Sequence, residues 1–142
     1  MRFMMLMIPK GYEKAHPGAV PSAEAVDAMM RYNETLRKAG VLLALNGLHP
    51  QSTGARIEFS GGKHVVTDGP FIETREALGG YWMIQVKSKA EAIEWASRCP
   101  GDNCVIEVRQ VFEMSEFPDD VQKVAAKYPE VREHVEQRKG KK

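Results

Sequence analysis

The string Asp68-Gly69-Pro70-Phe71-Ile72-Glu73-Thr74-Arg75-Glu76 places three carboxylates and a guanidinium around a Gly-Pro pair, and Leu78-Gly79-Gly80-Tyr81-Trp82 follows it. Two chemistries suit these residues. In the first, Asp68, Glu73, Arg75 and Glu76 converge at a cleft lined by Phe71, Tyr81 and Trp82, where one carboxylate acts as base or anchor and Arg75 grips an anionic group of a small ligand. Asp68 is then the leading catalytic candidate, because Gly69 and Pro70 directly after it fix the direction of its carboxylate. In the second, Asp-Gly-Pro simply closes a turn, with Asp68 accepting backbone N–H bonds, and Arg75 pairs with Glu73 or Glu76 on the surface. Residue types alone leave both open.

Other chemistry-bearing residues are sparse. His16, His49, His64 and His134 lack the H-x-x-H or H-x₃-H spacing of a metal site, so no metal is expected. His49 joins the ligand-binding candidates because it stands where a strand end meets a loop beside Asn46, although a solvated loop histidine has the same signature. Cys99 and Cys104 frame Cys-Pro-Gly-Asp-Asn-Cys, which is neither C-x-x-C nor a paired zinc motif, and buried inert thiols are expected there. A Gly-rich phosphate loop, a G-x-S-x-G elbow and an H-x-E signature are all missing, so no cofactor is expected.

The elements that must hold these groups follow from periodicity. Arg2 to Ile8 is a short apolar run closed by Pro9, and its length argues for a central strand. Ser22 caps a helix with Val26, Met29, Met30 and Leu36 at helical spacing, and Gly40 stops it. Val41 to Leu45 reads as a strand. Arg56 to Ser60 and Lys63 to Thr67 form a hairpin around Gly61-Gly62, and Tyr81 to Val86 is a strand rich in aromatic and branched residues. Ser88 with Glu91 makes a capping box before a second helix that ends near Cys99-Pro100. Val105 to Phe112 alternates as the last core strand.

This order predicts an α+β, ferredoxin-like antiparallel sheet with two helices on one face and an inserted hairpin. The other sheet face mixes Gln85, Glu107 and Arg109 with Met83, Val105 and Val111. That face is too apolar to stay wet, so a homodimer, a dimeric α+β barrel, is expected to cover it. The core domain is assigned to residues 1–118. Residues 119–142 form a helical appendage with Val121, Val124 and Ala125 at helical spacing, a short second helix after Pro129, and a basic end from Arg138 to Lys142.

Composition limits the partners. The 142 residues suffice for one domain; 43% are hydrophobic and 27% charged, which is ordinary for a folded protein. A formal net charge of +1 favours neither nucleic acid nor an acidic membrane surface, and the aromatic strings of RNA-binding ferredoxin-like domains are missing. The longest apolar stretch, Phe3 to Ile8, is far short of a bilayer span and of a secretory leader. With two cysteines only, a cytoplasmic location is expected.

The string from Asp68 to Glu76, followed by Leu78 to Trp82, resembles the YCII-related family, in particular the branch named for its DGPF motif, whose members read close to DGPFAETKE and then LGGYY or LGGYW. Looser similarity covers Met1 to about Phe117, including AGVLLALNGLHP, VTDGPF and EWASRCP. The resemblance implies a ferredoxin-like fold and a dimeric α+β barrel, without an assigned reaction for this branch. Some members of the wider family look like enzymes using a His on the first helix and an Asp near the end of the second. Aligned on Gly40 and Pro100, those places hold Met29 and Cys99, so that pair does not carry over. The resemblance also suggests an alternative, a non-catalytic regulatory module linked to alternative sigma factors.

Overall fold

The computed structural model describes residues 1–140, with side chains through residue 135; the basic run from Arg138 to Lys142 therefore lies outside the described side chains. The chain divides into two units, Met1–Gln110 and Val111–Lys142.

The first unit is built on a four-stranded sheet in the order β2-β5-β1-β6, from β1 (Arg2–Pro9), β2 (Leu42–Gly47), β5 (Gly80–Gln85) and β6 (Cys104–Gln110). All three pairings are antiparallel, and the first and third core strands lie in the centre. The methionine-rich β1 is a strand because both of its edges are paired, Met5 standing opposite Trp82 on one side and Val108 on the other. Its alternation decides what is buried. Phe3 and Met5 face inward with Trp82 and Ile84, and they meet Tyr32 and Leu36 of helix α1 (Ala23–Lys38) and Ala92 of helix α2 (Lys89–Ser97). Both helices thus cover one sheet face. Burying each of these large side chains contributes about 1.5–3 kcal/mol.

Caps set the helix boundaries. Ser22 Oγ accepts the Ala25 N–H at 3.1 Å, and Gly40 takes a left-handed φ of +74° just past the end of α1. Ser88 Oγ accepts the Glu91 N–H at 3.1 Å. The Glu91 carboxylate accepts from Lys87 N–H at 2.9 Å, one residue before the reciprocal partner of a capping box.

Strands β3 (Ala55–Ser60) and β4 (Lys63–Asp68) form a separate two-stranded sheet inserted between β2 and β5. Its turn, Gly61-Gly62, has φ of +58° and +76°, the two left-handed residues that a tight hairpin requires. Cross-strand partners Ala55 and Asp68, Ile57 and Val66, and Phe59 and His64 share one face. On that face Phe59 is 80% exposed.

The second sheet face of the first unit carries Met4, Leu6 and Ile8 of β1, Tyr81 and Met83 of β5, and Val105, Glu107 and Arg109 of β6. Val111, expected on this face from alternation, is not part of it: β6 ends at Gln110 and Val111 opens the second unit. The pairing of β6 with β1 ends at Phe3 and Gln110. In the second unit the Phe112 and Phe117 rings lie 5.0 Å apart around a 3-10 turn at Met114–Glu116. Helices α3 (Asp119–Ala126) and α4 (Pro129–Gly140) follow. No helix among the described residues is long and apolar enough to cross a membrane.

Candidate functional site

The string from Asp68 to Glu76 leaves β4 and returns to β5, so its position is set by the sheet end where β1 and β2 finish and β5 and β6 begin. Met7 opposite Gly80, Gly47 opposite Gly80 and Pro9 opposite Cys104 define that end. Two 3-10 turns, Tyr12–Lys14 and Gln51–Thr53, gather there and touch. Gly79 N–H donates to Met7 O at 2.8 Å, and Leu48 N–H donates to Gly79 O at 2.9 Å. Tyr12 Oη donates to Leu48 O at 2.5 Å, and Ser52 Oγ donates to Ala15 O at 3.1 Å.

Gly69 is the tightest point of this cluster. Its N–H donates to Gly54 O at 2.9 Å, and a Cβ on it would fall well inside contact distance of the Gln51 carbonyl oxygen. The glycine is thus required by close backbone approach.

The predicted site residues lie on β4, on the loop after it, on β5 and on the loop after β2. Asp68 is exposed at the end of β4, opposite Ala55. Phe71 is half-buried, and the Arg56 guanidinium lies 4.2 Å from its ring centroid, a cation–π contact. Glu73, Arg75 and Glu76 are exposed, and no ion pair joins them among the described residues. Tyr81 stands on the second sheet face, where its hydroxyl accepts from Asn46 Nδ2 at 2.9 Å. His49 is exposed in the loop after β2, beside the fully buried Pro50. Trp82, next to Tyr81 in sequence, points to the opposite face and into the core, because adjacent strand residues alternate.

Three residues that sequence reasoning did not single out carry buried polar atoms in these turns and in the loop after Asp68. Glu13 Oε2, Gln51 Oε1 and Thr74 Oγ1 are buried side-chain oxygens without a hydrogen-bond partner among the described residues. Such groups are uncommon, since an unpaired buried oxygen costs about 1–3 kcal/mol. They come from the two 3-10 turns and the loop after Asp68. Their spacing, from residue 13 to 51 to 74, leaves no local motif by which the sequence could announce them. Among the described residues no group of three or more His, Cys, Asp and Glu could hold a metal ion.

Near the end of α2 two groups hold their protons unusually firmly. Burial raises the Tyr32 hydroxyl above its ordinary value, with a further rise from Cys99 and a lowering from Arg98. Tyr32 donates to Trp95 O at 2.7 Å, a bond that the ionised phenol would lose. The Cys99 thiol rises from 9.0 to about 11, first through burial and then through Cys104, with the Gly101 backbone opposing. A pKa raised by folding means that the folded chain binds the proton more tightly than the unfolded chain does. The stability this contributes is complete below the unfolded value and is lost as pH climbs through the folded one. Denaturation midpoints are therefore expected to fall between pH 9.0 and about 11, and less steeply in Cys99→Ala. An unchanged midpoint across that window would contradict the burial of both groups.

An antiparallel sheet ordered β2-β5-β1-β6, with both helices on one face and a loop cluster at one end, defines an α+β protein of the ferredoxin-like class. Residues 1–115 match the YCII-related domain, and the chain belongs to that family. An uncharacterized protein of Rhizobium meliloti is 39% identical over 59 residues, covering 42% of this chain. The matched stretch spans about half, 48%, of that relative.

Proposed function

We propose that this protein binds a small polar ligand at the sheet end where the loop after Asp68 meets the two 3-10 turns. The observation that carries this reading is the set of unpartnered buried oxygens on Glu13, Gln51 and Thr74. A ligand that presents hydrogen-bond donors would satisfy them, so its buried end is polar or cationic in character. In this reading Arg75 and His49 would meet any anionic group it carries, and Asp68, Phe71, Glu73 and Tyr81 would complete the rim. Asp68 is the rim carboxylate for acid–base work, because Gly69, held against Gln51, fixes the backbone directly after it. Within the family, the Asp68-Gly69-Pro70-Phe71 string supports membership of the DGPF branch. Two unpaired thiols support a cytoplasmic setting.

The test uses native mass spectrometry of protein purified without denaturation, alongside thermal melts. Gln51→Leu is expected to lose the bound ligand while the melting temperature holds or rises, since removing an unpaired buried oxygen relieves its desolvation cost. Asp68→Asn is expected to weaken ligand binding with a stability change below about 1 kcal/mol. Equal ligand retention in wild type and both variants would defeat the assignment.

We further propose that two copies pair through the second sheet face, where Met4, Leu6, Ile8 and Met83 form an apolar centre. Light scattering at micromolar concentration is expected to give a dimer for the wild type and a monomer for Met83→Glu. The monomer's circular dichroism should be unchanged. A monomeric wild type would overturn this.

A second reading, a non-catalytic interaction module, is favoured by the exposed hairpin face of Ile57, Phe59 and Val66. It replaces the first if no ligand co-purifies and a purified alternative sigma factor binds the wild type but not Phe59→Ser.

A further inference from the structure

We propose that Cys99 and Cys104 form a redox-active dithiol, which a peroxide oxidises to an intramolecular disulfide closing the loop between α2 and β6. Three features of the fold carry this. First, both sulfurs lie beside one glycine. A side chain on Gly101 would run into the Cys104 sulfur and stand 4.0 Å from the Cys99 sulfur. Gly101 therefore leaves open the space beside both sulfurs.

Second, the loop that joins them is held at both ends. Cys99 follows α2 and its N–H donates to Ala96 O at 3.2 Å, while Cys104 begins β6 opposite Pro9. Between them Asn103 adopts a left-handed φ of +55°, and its carbonyl accepts from Lys10 N–H at 3.1 Å. A non-glycine residue in that region is uncommon and persists where the surrounding structure holds it. Thiol encounter here does not wait on a long loop closing.

Third, the thiols are reachable. Both are half-buried, and both line a groove of about 450 Å³ between α2 and the edge strand β6, together with Lys89, Ile93 and Ser97. That volume admits a peroxide, and an open groove admits a dithiol reductant to one sulfur at a time.

The chemistry balances with peroxide as the oxidant. The Cys104 thiolate attacks a peroxide oxygen, the O–O bond breaks, and protonation of the departing hydroxide gives water and a Cys104 sulfenic acid. The Cys99 sulfur then displaces the sulfenic hydroxyl, the S–S bond forms, and the Cys99 proton leaves with that hydroxyl as a second water. The two sulfurs together lose two electrons and the peroxide gains them. Cys99, whose burial keeps it protonated, takes the resolving role.

The test treats the full chain with hydrogen peroxide, denatures it, adds a maleimide and weighs the intact protein. Expected are the loss of both maleimide adducts, a mass lower by two hydrogens, a linked peptide joining Cys99 to Cys104, and recovery of both adducts after dithiothreitol. Cys99→Ser is expected to accumulate a sulfenic acid that dimedone traps at Cys104, and Cys104→Ser to give no dimedone adduct. Two maleimide adducts after peroxide would overturn the proposal. So would a disulfide between two chains, or sulfinic acid on either cysteine without an S–S bond.

Discussion

Gly69→Ala is expected to be among the most damaging single-methyl additions in this chain. The added Cβ would overlap the Gln51 carbonyl oxygen and crowd the Ser52 Cα, both backbone atoms that no side-chain rotation relieves. Relief requires the loop after Asp68 to lift from the Gln51–Thr53 turn, which breaks the 2.9 Å bond from Gly69 N–H to Gly54 O. Overpacking of this kind costs about 1–3 kcal/mol. In a domain of this size each kcal/mol lowers the melting temperature by about 3–6 °C. Gly18→Ala is the matched control, because a Cβ there meets nothing within 4 Å and its φ is not left-handed. A Gly69→Ala melt equal to that of Gly18→Ala would show that the loop does not rest on the turn. Ligand retention in the same variant would separate the site from the loop.

The second large effect is expected at the buried pair of Trp82 and Asn33. Trp82 Nε1–H donates to Asn33 Oδ1 at 2.7 Å, with both residues buried, and the Tyr32 ring meets the indole edge-to-face at a centroid distance of 5.6 Å. Asn33→Leu leaves the indole N–H buried and unpaired, a loss of about 1–3 kcal/mol. Trp82→Phe orphans the Asn33 amide oxygen and also removes ring volume, so its cost is larger, about 2–4 kcal/mol with the cavity included. In the double variant neither partner is left unpaired, so its loss is expected to be smaller than the sum of the single losses. Denaturant titrations of the four proteins measure this. Strict additivity would mean that the bond contributes nothing.

Much of the architecture was legible because local chemistry and periodicity agree. Ser22 and Ser88 cap as their positions require, and Gly61-Gly62 makes the hairpin turn. The alternation of Phe3, Met5, Trp82 and Ile84 names the core face. The end of the last strand was not legible, since Val111 and Phe112 continue the alternation of β6. Pairing with β1 ends at the Phe3–Gln110 pair, a fact that belongs to register and not to either segment.

The candidate site divides in the same way. The string Asp68 to Glu76 announced a turn by its Gly-Pro pair and drew attention to Asp68, Phe71, Glu73, Arg75, Tyr81 and His49. Short-range information reaches that far. That Trp82 turns away from Tyr81 follows from strand alternation, so the sequence already contained it. The sequence had no means of bringing Glu13 or Gln51 to the same sheet end as Thr74. The elements that carry them are gathered because β1 and β2 finish where β5 begins, and placement across 38 and 61 residues of chain leaves no periodic or motif signature. The placing of the Cys99 and Cys104 sulfurs beside Gly101 is likewise a product of how α2 ends and β6 begins. The residue types were fixed by the chain, and their orientation was decided by the tertiary structure.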